Sequence, residues 1–228
     1  MTFISDFISL FYPLKCAACD KALYLHEVEI CNSCFLSLPK TDYHNQRGNR
    51  VEQIFWGRIQ IHSAASFWFF HKGSRVQRVL HNLKYNGRTG VGHVAGEWFG
   101  NALKIETSFS TCDFIIPVPL HQKRQIKRGY NQSQCIADGL SKALSIPVKN
   151  NFLVRPEYSS TQTKEAKFSR WEKAQNLFLC PDLNPLKNKH VLLVDDVITT
   201  GATLEACCLA LQKAEGIKIS IVSLAYAE

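Results

Sequence analysis

The sequence predicts an α/β protein: a mostly parallel sheet with helices, preceded by a small four-cysteine module. Three observations lead there. From residue 59 onward, short runs rich in β-branched and aromatic residues alternate with stretches of helical periodicity, the pattern of strands joined by crossover helices. One of those runs, His190 to Asp195, is apolar along its length and ends on two carboxylates, as a buried strand does at an open sheet edge. Ahead of all this stand two Cys-x-x-Cys pairs. The chain has 228 residues, enough for one medium domain and an appendage, and 46% hydrophobic against 20% charged residues is the balance of a globular chain with a core.

Met1 to Leu14 places Phe3, Ile4, Phe7, Ile8, Leu10 and Phe11 at helical spacing, and Pro13 should end that helix. It carries no basic leader or small-residue cleavage site and holds Asp6, which argues against a signal peptide. Its polar face lacks the basic residues of interfacial membrane helices, so it reads as a helix packed on the main body. No stretch is long and apolar enough to span a membrane, and the expected location is cytoplasmic. Pro39 to Arg50 is polar and turn-rich and reads as a linker. The expected division is 1–58 for the N-terminal helix and cysteine module and 59–228 for the main domain.

In the main domain, Ile59 to Phe70 reads as a strand, Ser74 to Tyr85 and Val91 to Leu103 as helices, and Phe114 to Pro119 as a short strand closed by its prolines. Asn131 to Leu144 is helical, Asn151 to Arg155 a candidate strand, and Tyr158 to Asn176 a polar loop. Strand His190–Asp195, helix Ala202–Ala214 and strand Lys218–Tyr226 complete the order. Ligands of such sheets lie beyond the carboxyl ends of the strands, which singles out residues 117–131 and 195–203.

Charge agrees with an anionic ligand. Residues 1–60 hold six Lys/Arg and six Asp/Glu, so the whole net charge of +8 belongs to residues 61–228. Phosphorylated metabolites and nucleic acid both fit that field.

The pairs Cys16/Cys19 and Cys31/Cys34 are separated by eleven residues, a spacing with which four thiolates close a tetrahedral zinc site. Disulfides are the rival, but they need an oxidising compartment. His26, His44 and His62 could also ligate, yet four cysteines already complete a structural site. Cys112, Cys135, Cys180, Cys207 and Cys208 read as packing residues.

The most informative segment runs from Val191 to Thr203. A buried strand delivers Asp195 and Asp196 to its exposed end, a turn with Thr199, Thr200 and Gly201 follows, and a helix begins at Ala202. Helix N-termini offer free N–H groups to a phosphate, a glycine lets it approach closely, and Thr199, Thr200 and Thr203 add hydroxyl donors. Two carboxylates cannot hold a phosphate, but they suit ribose hydroxyls or a metal ion. Helix capping would explain one threonine, not three threonines and two acids. A second basic region should meet the rest of the anion. The candidates are Lys84 and Tyr85 before a glycine turn, and the acid-free run Lys123, Arg124, Lys127 and Arg128.

The run from Val191 to Thr203 resembles the phosphoribosyl-pyrophosphate signature of type I phosphoribosyltransferases. The order Leu-Lys-Tyr near 84, Pro-Val-Pro-Leu near 118, Arg-Gly-Tyr-Asn-Gln near 130, Gln162-Thr163, Arg170, Asn176 and then the phosphate loop resembles the ComF family of competence-associated phosphoribosyltransferase-like proteins. That family also places a four-cysteine zinc module ahead of the domain. Tyr130 stands where many relatives have Phe.

The resemblance implies a type I phosphoribosyltransferase sheet with an N-terminal zinc ribbon, structural Zn²⁺, and 5-phosphoribosyl 1-pyrophosphate bound with Mg²⁺. Lys84 and Tyr85 would meet the pyrophosphate, with Arg124 and Arg128 on a loop that closes over the reacting centre. Asp195 and Asp196, as the catalytic pair, would orient the ribose. Thr199, Thr200, Gly201, Ala202 and Thr203 would anchor the 5′-phosphate. Gln162, Thr163 and Arg170 would face the same pocket. Three functions fit: phosphoribosyl transfer to an acceptor the motifs do not name, a metabolite sensor without catalysis, and single-stranded DNA binding. The family name adds other competence proteins as partners and a link to DNA uptake.

Overall fold

The computed structural model describes residues 14–156 and 177–227. The expected first helix, apart from Leu14, and the polar loop with Gln162, Thr163, Arg170 and Asn176 lie outside the described residues.

Four strands form one sheet: β1 (Ser63–Phe70), β2 (Phe114–Pro117), β3 (His190–Ile198) and β4 (Lys218–Ala227), in the order β1-β4-β3-β2, with every neighbour parallel. The expected parallel α/β architecture is therefore present. Parallel strands are covered on both faces, so they carry apolar runs rather than alternation. Val191 to Val194 on β3 and Ile219, Ile221 and Val222 on β4 are buried accordingly.

The helices of the main domain follow their periodicity. α3 (Arg75–Tyr85) is capped by Ser74, whose hydroxyl accepts from Gln77 N, and buries Val76, Val79, Leu80 and Leu83. α4 (Thr89–Leu103) and α7 (Gln132–Leu144) cross at contact distance. A Cβ on Gly96 would lie 2.3 Å from Ile136 O, and one on Gly139 2.2 Å from His93 O, so only glycine permits this approach. The crossing fixes the start of α7 against β3. α8 (Ala202–Leu211) ends sooner than its apolar pattern suggested. Three short helices also occur among the described residues: α1 (Asn32–Ser37), α2 (Arg50–Gln53) and α5 (Thr107–Ser110).

Three expectations need correction. Asn151–Arg155 is not a strand; only Val154 forms an isolated bridge, to Leu179. The residues that extend the sheet beside β2 are Pro147 to Lys149: Ile115 N donates to Pro147 O (3.0 Å) and Lys149 N to Ile115 O (2.8 Å). The basic run read as a loop is a helix, α6 (Gln122–Arg128). His121 Nδ1 accepts from Lys123 N at its start, Gly129 ends it at φ +82°, and Lys127 and Arg128 lie at the favourable end of its dipole. It buries no residue, so its periodicity left no apolar trace in the sequence.

The stretch read as a linker is packed on β1. Thr41 N donates to Phe67 O, Phe69 N to Pro39 O, and Asn49 Nδ2 to Ala64 O, while Val51 and Phe55 are fully buried. Its polar side chains face the sheet edge, where they satisfy backbone groups that water would otherwise meet.

Candidate functional site

β2 and β3 emerge side by side, with Pro117 opposite Val194 and Val118 N donating to Val194 O at 2.9 Å. Val118 to Leu120 and Asp195 to Asp196 therefore leave the sheet together and form the floor of a cleft of about 270 Å³. Lys84 and Tyr85 enter from the end of α3, Arg124 and Arg128 from α6, Thr199 from the loop before α8, and Thr203 from its first turn. One cavity thus gathers most of the site residues expected from sequence. Thr200, Gly201 and Ala202 line a smaller adjoining cup of about 40 Å³, which shares Thr199 and Thr203 with the cleft. A second cleft of about 380 Å³ adjoins on the α6 side, where Lys127 and Tyr130 join Lys84, Tyr85, Arg124 and Arg128.

The two carboxylates are buried, Asp195 at 9% and Asp196 at 4% exposure. Asp195 Oδ1 accepts from Ser133 Oγ (3.0 Å) and from Asp196 N (2.8 Å). Removal from water, and then the charge of Asp196, push the Asp195 carboxyl up to about 7. Asp196 Oδ2 lies 2.9 Å from Lys84 Nζ, an ion pair too bent for a directed hydrogen bond. Lys84 and Asp196 are therefore each other's charge partners.

Gly201 has φ +73°, which favours glycine, and a Cβ there would lie 2.7 Å from Ile54 Cγ2 and 2.9 Å from Phe55 Cε1. The loop can take this path only as glycine, and the path leads directly into the N-terminus of α8, whose ten residues give it the free N–H groups of a real helix end.

Several residues that shape the cleft were given no role in it from sequence. Ser133 holds Asp195, and Gln132 accepts from Arg128 Nη1. Both follow directly on Arg-Gly-Tyr-Asn, and the capping role of Asn131, which accepts from Ser133 N, was the available signal. Tyr130 OH donates to Leu83 O, tying the basic segment to the Lys84 turn. Arg155 also lines the cleft; burial, then nearby Arg124, lower its pKa. Its only sequence signal was a cation at the end of a supposed strand.

The cysteine module is assembled. The sulfurs of Cys16, Cys19, Cys31 and Cys34 all lie within 4.8 Å of one another, with Cys19 and Cys31 3.8 Å apart, and none is in a disulfide. Tetrahedral ligation at about 2.3 Å would set sulfurs about 3.8 Å apart, so the cluster fits zinc. Cys16 Sγ accepts from Cys31 N (3.3 Å) and Ala18 N (3.4 Å). Burial opposes the thiolate, but these N–H groups outweigh it and bring Cys16 down to about 7. Of the five other cysteines, four are buried as packing residues and Cys180 is half-buried. No histidine joins the cluster among the described residues.

The module docks on both flanks of the Lys84 turn. Asn82 Nδ2 donates to Ala17 O (2.9 Å), and Arg88 Nε donates to Glu29 Oε2 (2.9 Å). Phe35 lies 4.3 Å from Trp98 on α4.

Comparison with known proteins agrees with this arrangement. The phosphoribosyl transferase domain family matches residues 132–228. Competence protein F of Haemophilus influenzae is 40% identical over 95% of this chain and 99% of its own length. The chain belongs to the ComF family. Other members include the DNA utilization protein YhgH of Escherichia coli K12, 26% identical over 83% of this chain and 80% of that protein. Competence protein ComFC of Bacillus subtilis is 31% identical over 48% and 43%. As a ComF-family protein it pairs a phosphoribosyltransferase-type domain with a four-cysteine cluster. Among the described residues, no helix is long and apolar enough to cross a membrane.

Proposed function

We propose that the cleft binds 5-phosphoribosyl 1-pyrophosphate together with Mg²⁺, and that the four cysteines hold Zn²⁺. The carrying observation is the convergence of three chemistries on one cavity. A helix N-terminus with threonine hydroxyls suits the 5′-phosphate, two buried carboxylates suit the ribose diol, and Lys84, Arg124 and Arg128 suit the pyrophosphate. Asp196 Oδ2, buried without a directed hydrogen bond, has acceptor capacity left for a ligand hydroxyl. Binding exchanges the Lys84–Asp196 ion pair for two new partners, the anion for Lys84 and the diol for Asp196.

The same arrangement suits phosphoribosyl transfer. A nucleophile forms a bond to the anomeric carbon, the bond to pyrophosphate breaks, and its electron pair leaves with the pyrophosphate. Positive charge gathers on the ribose ring, as in glycoside cleavage, while Lys84, Arg124 and Arg128 stabilise the leaving group. Mg²⁺, held by the pyrophosphate and the acid pair, would offset further negative charge.

Calorimetric titration tests the binding. The protein should bind 5-phosphoribosyl 1-pyrophosphate more tightly with Mg²⁺ than without. Thr203→Val removes one phosphate donor and should weaken ribose 5-phosphate by roughly tenfold while leaving inorganic pyrophosphate unaffected. No binding at millimolar ligand would overturn the proposal.

A second reading is favoured by α6, which exposes Lys123, Arg124 and Lys127 and holds the half-buried Arg128 over Tyr85, a residue 68% exposed. Cations tracking a backbone next to an exposed aromatic ring suit single-stranded DNA. The names of the relatives point the same way. Replacing all four cations by Ala should flatten the slope of log affinity against log salt by about 0.7 per lost phosphate contact. An unchanged slope in single-strand binding would remove DNA from this surface.

A further inference from the structure

Behind the phosphate loop lies a contact that the residues of the cleft do not explain. Arg58 approaches from the segment between α2 and β1, on the side of the loop held by Ile54 and Phe55. Its Nη1 donates to Thr200 O at 2.9 Å and to Ile54 O at 3.1 Å, and its Nη2 pairs with Glu205. One guanidinium therefore joins three things: the packing residue under Gly201, the carbonyl of the phosphate-loop threonine, and an acid in the first turn of α8.

Each contact bears on an anion in the cup. Thr200 and Gly201 precede the first free N–H groups of α8, so fixing Thr200 O fixes where those groups point. Glu205 stabilises the helix N-terminus, but as an unneutralised charge it would repel a phosphate bound there. Arg58 cancels that charge without entering the cup, since it is absent from the cup and cleft linings. Ile54 and Phe55 lie within 3 Å of the position a Gly201 Cβ would take, so the loop cannot settle backward.

We propose that Arg58 is a positioning residue for the 5′-phosphate cup, holding the backbone of Thr200 and neutralising Glu205 so that the loop is ordered before the ligand arrives. This rests on the reading of the cup as a phosphate site. A planar fork is what the three contacts require; an ammonium can reach one or two of them.

The test compares two ligands on one set of variants by calorimetry: ribose 5-phosphate, which reads the cup, and inorganic pyrophosphate, which reads Lys84, Arg124 and Arg128. Arg58→Ala should weaken ribose 5-phosphate about tenfold. Pyrophosphate affinity and metal content should stay as in the parent. Arg58→Lys should recover part of the loss, and Arg58→Ala with Glu205→Gln should recover the electrostatic part. Equal ribose 5-phosphate affinity in Arg58→Ala and parent would overturn the proposal, and so would a parallel loss of pyrophosphate affinity, which marks general loosening. A parent that binds pyrophosphate but not ribose 5-phosphate would instead sink the reading of the cup itself.

Discussion

Asp195→Asn is expected to melt higher than the parent at pH 8 and to bind 5-phosphoribosyl 1-pyrophosphate about ten- to a hundredfold more weakly. Both effects come from one buried charge. Asp195 is raised to about 7 in the folded chain, against roughly 3.9 for an unfolded Asp. At pH below about 4 the group is neutral in both states and costs nothing. Between about 4 and 7 the unfolded chain ionises freely while the folded one resists, so native stability is lost as pH rises. Above 7 the loss is complete, on the order of 4 kcal/mol. Asn has no charge to bury, and its carbonyl can still accept from Ser133 Oγ and Asp196 N. The melting gap should therefore open between pH 4 and 7 and stay level above, at about 5 °C or more. The ligand pays the opposite way. The amide places a donor against the ribose hydroxyl donors and removes a charge-assisted bond. Asp196→Asn should weaken binding similarly, with a smaller gain in stability because Lys84 already balances that charge. If melting curves of parent and Asp195→Asn coincide from pH 4 to 8, the carboxylate is not a buried charge.

Metal removal should produce the largest change in the molecule. Elemental analysis of the purified protein should give about one zinc per chain, and Cys19→Ser should lose it. The module between Leu14 and Leu38 buries Ile30, Leu38, two alanines and three of the four cysteines, too little apolar surface to hold four facing sulfurs without an ion. Structural zinc in small modules contributes apparent binding energies of about 10–16 kcal/mol, which is folding energy when the apo module is unfolded. Chelation should abolish amide protection across residues 14–38 in hydrogen exchange while β3 and β4 stay protected. It should also weaken inorganic pyrophosphate, because Ala17 and Glu29 brace Asn82 and Arg88 on either side of the Lys84 turn. Absent metal with paired cystines, or full protection after chelation, would rule out a structural zinc.

What could be read from the sequence had local causes. The apolar runs of β3 and β4 and the 3.6-residue rhythm of α3, α4 and α7 record burial directly, and they fixed the sheet and its helices. The order of acids, threonines and glycine from Asp195 to Thr203 names a ligand chemistry, because each residue type there does one thing for a phosphate or a diol. The cysteine spacing did the same for a metal. What the sequence could not carry were contacts between residues far apart along the chain. Helix α6 buries no residue, so no periodicity marks it. Residues 39–50 look like a linker because their polar side chains satisfy the edge of β1, a partner visible only once the sheet exists. Ser133 meets Asp195, Tyr130 meets Leu83, and Arg58 meets Thr200 across 62, 47 and 142 residues. Such pairs are set by where backbones cross, as at Gly96 and Gly139, and by the removal of charge from water. The sequence by itself determined which groups this protein has for the proposed phosphoribosyl ligand; the tertiary structure alone decided which of them are buried, which are paired, and what holds them still.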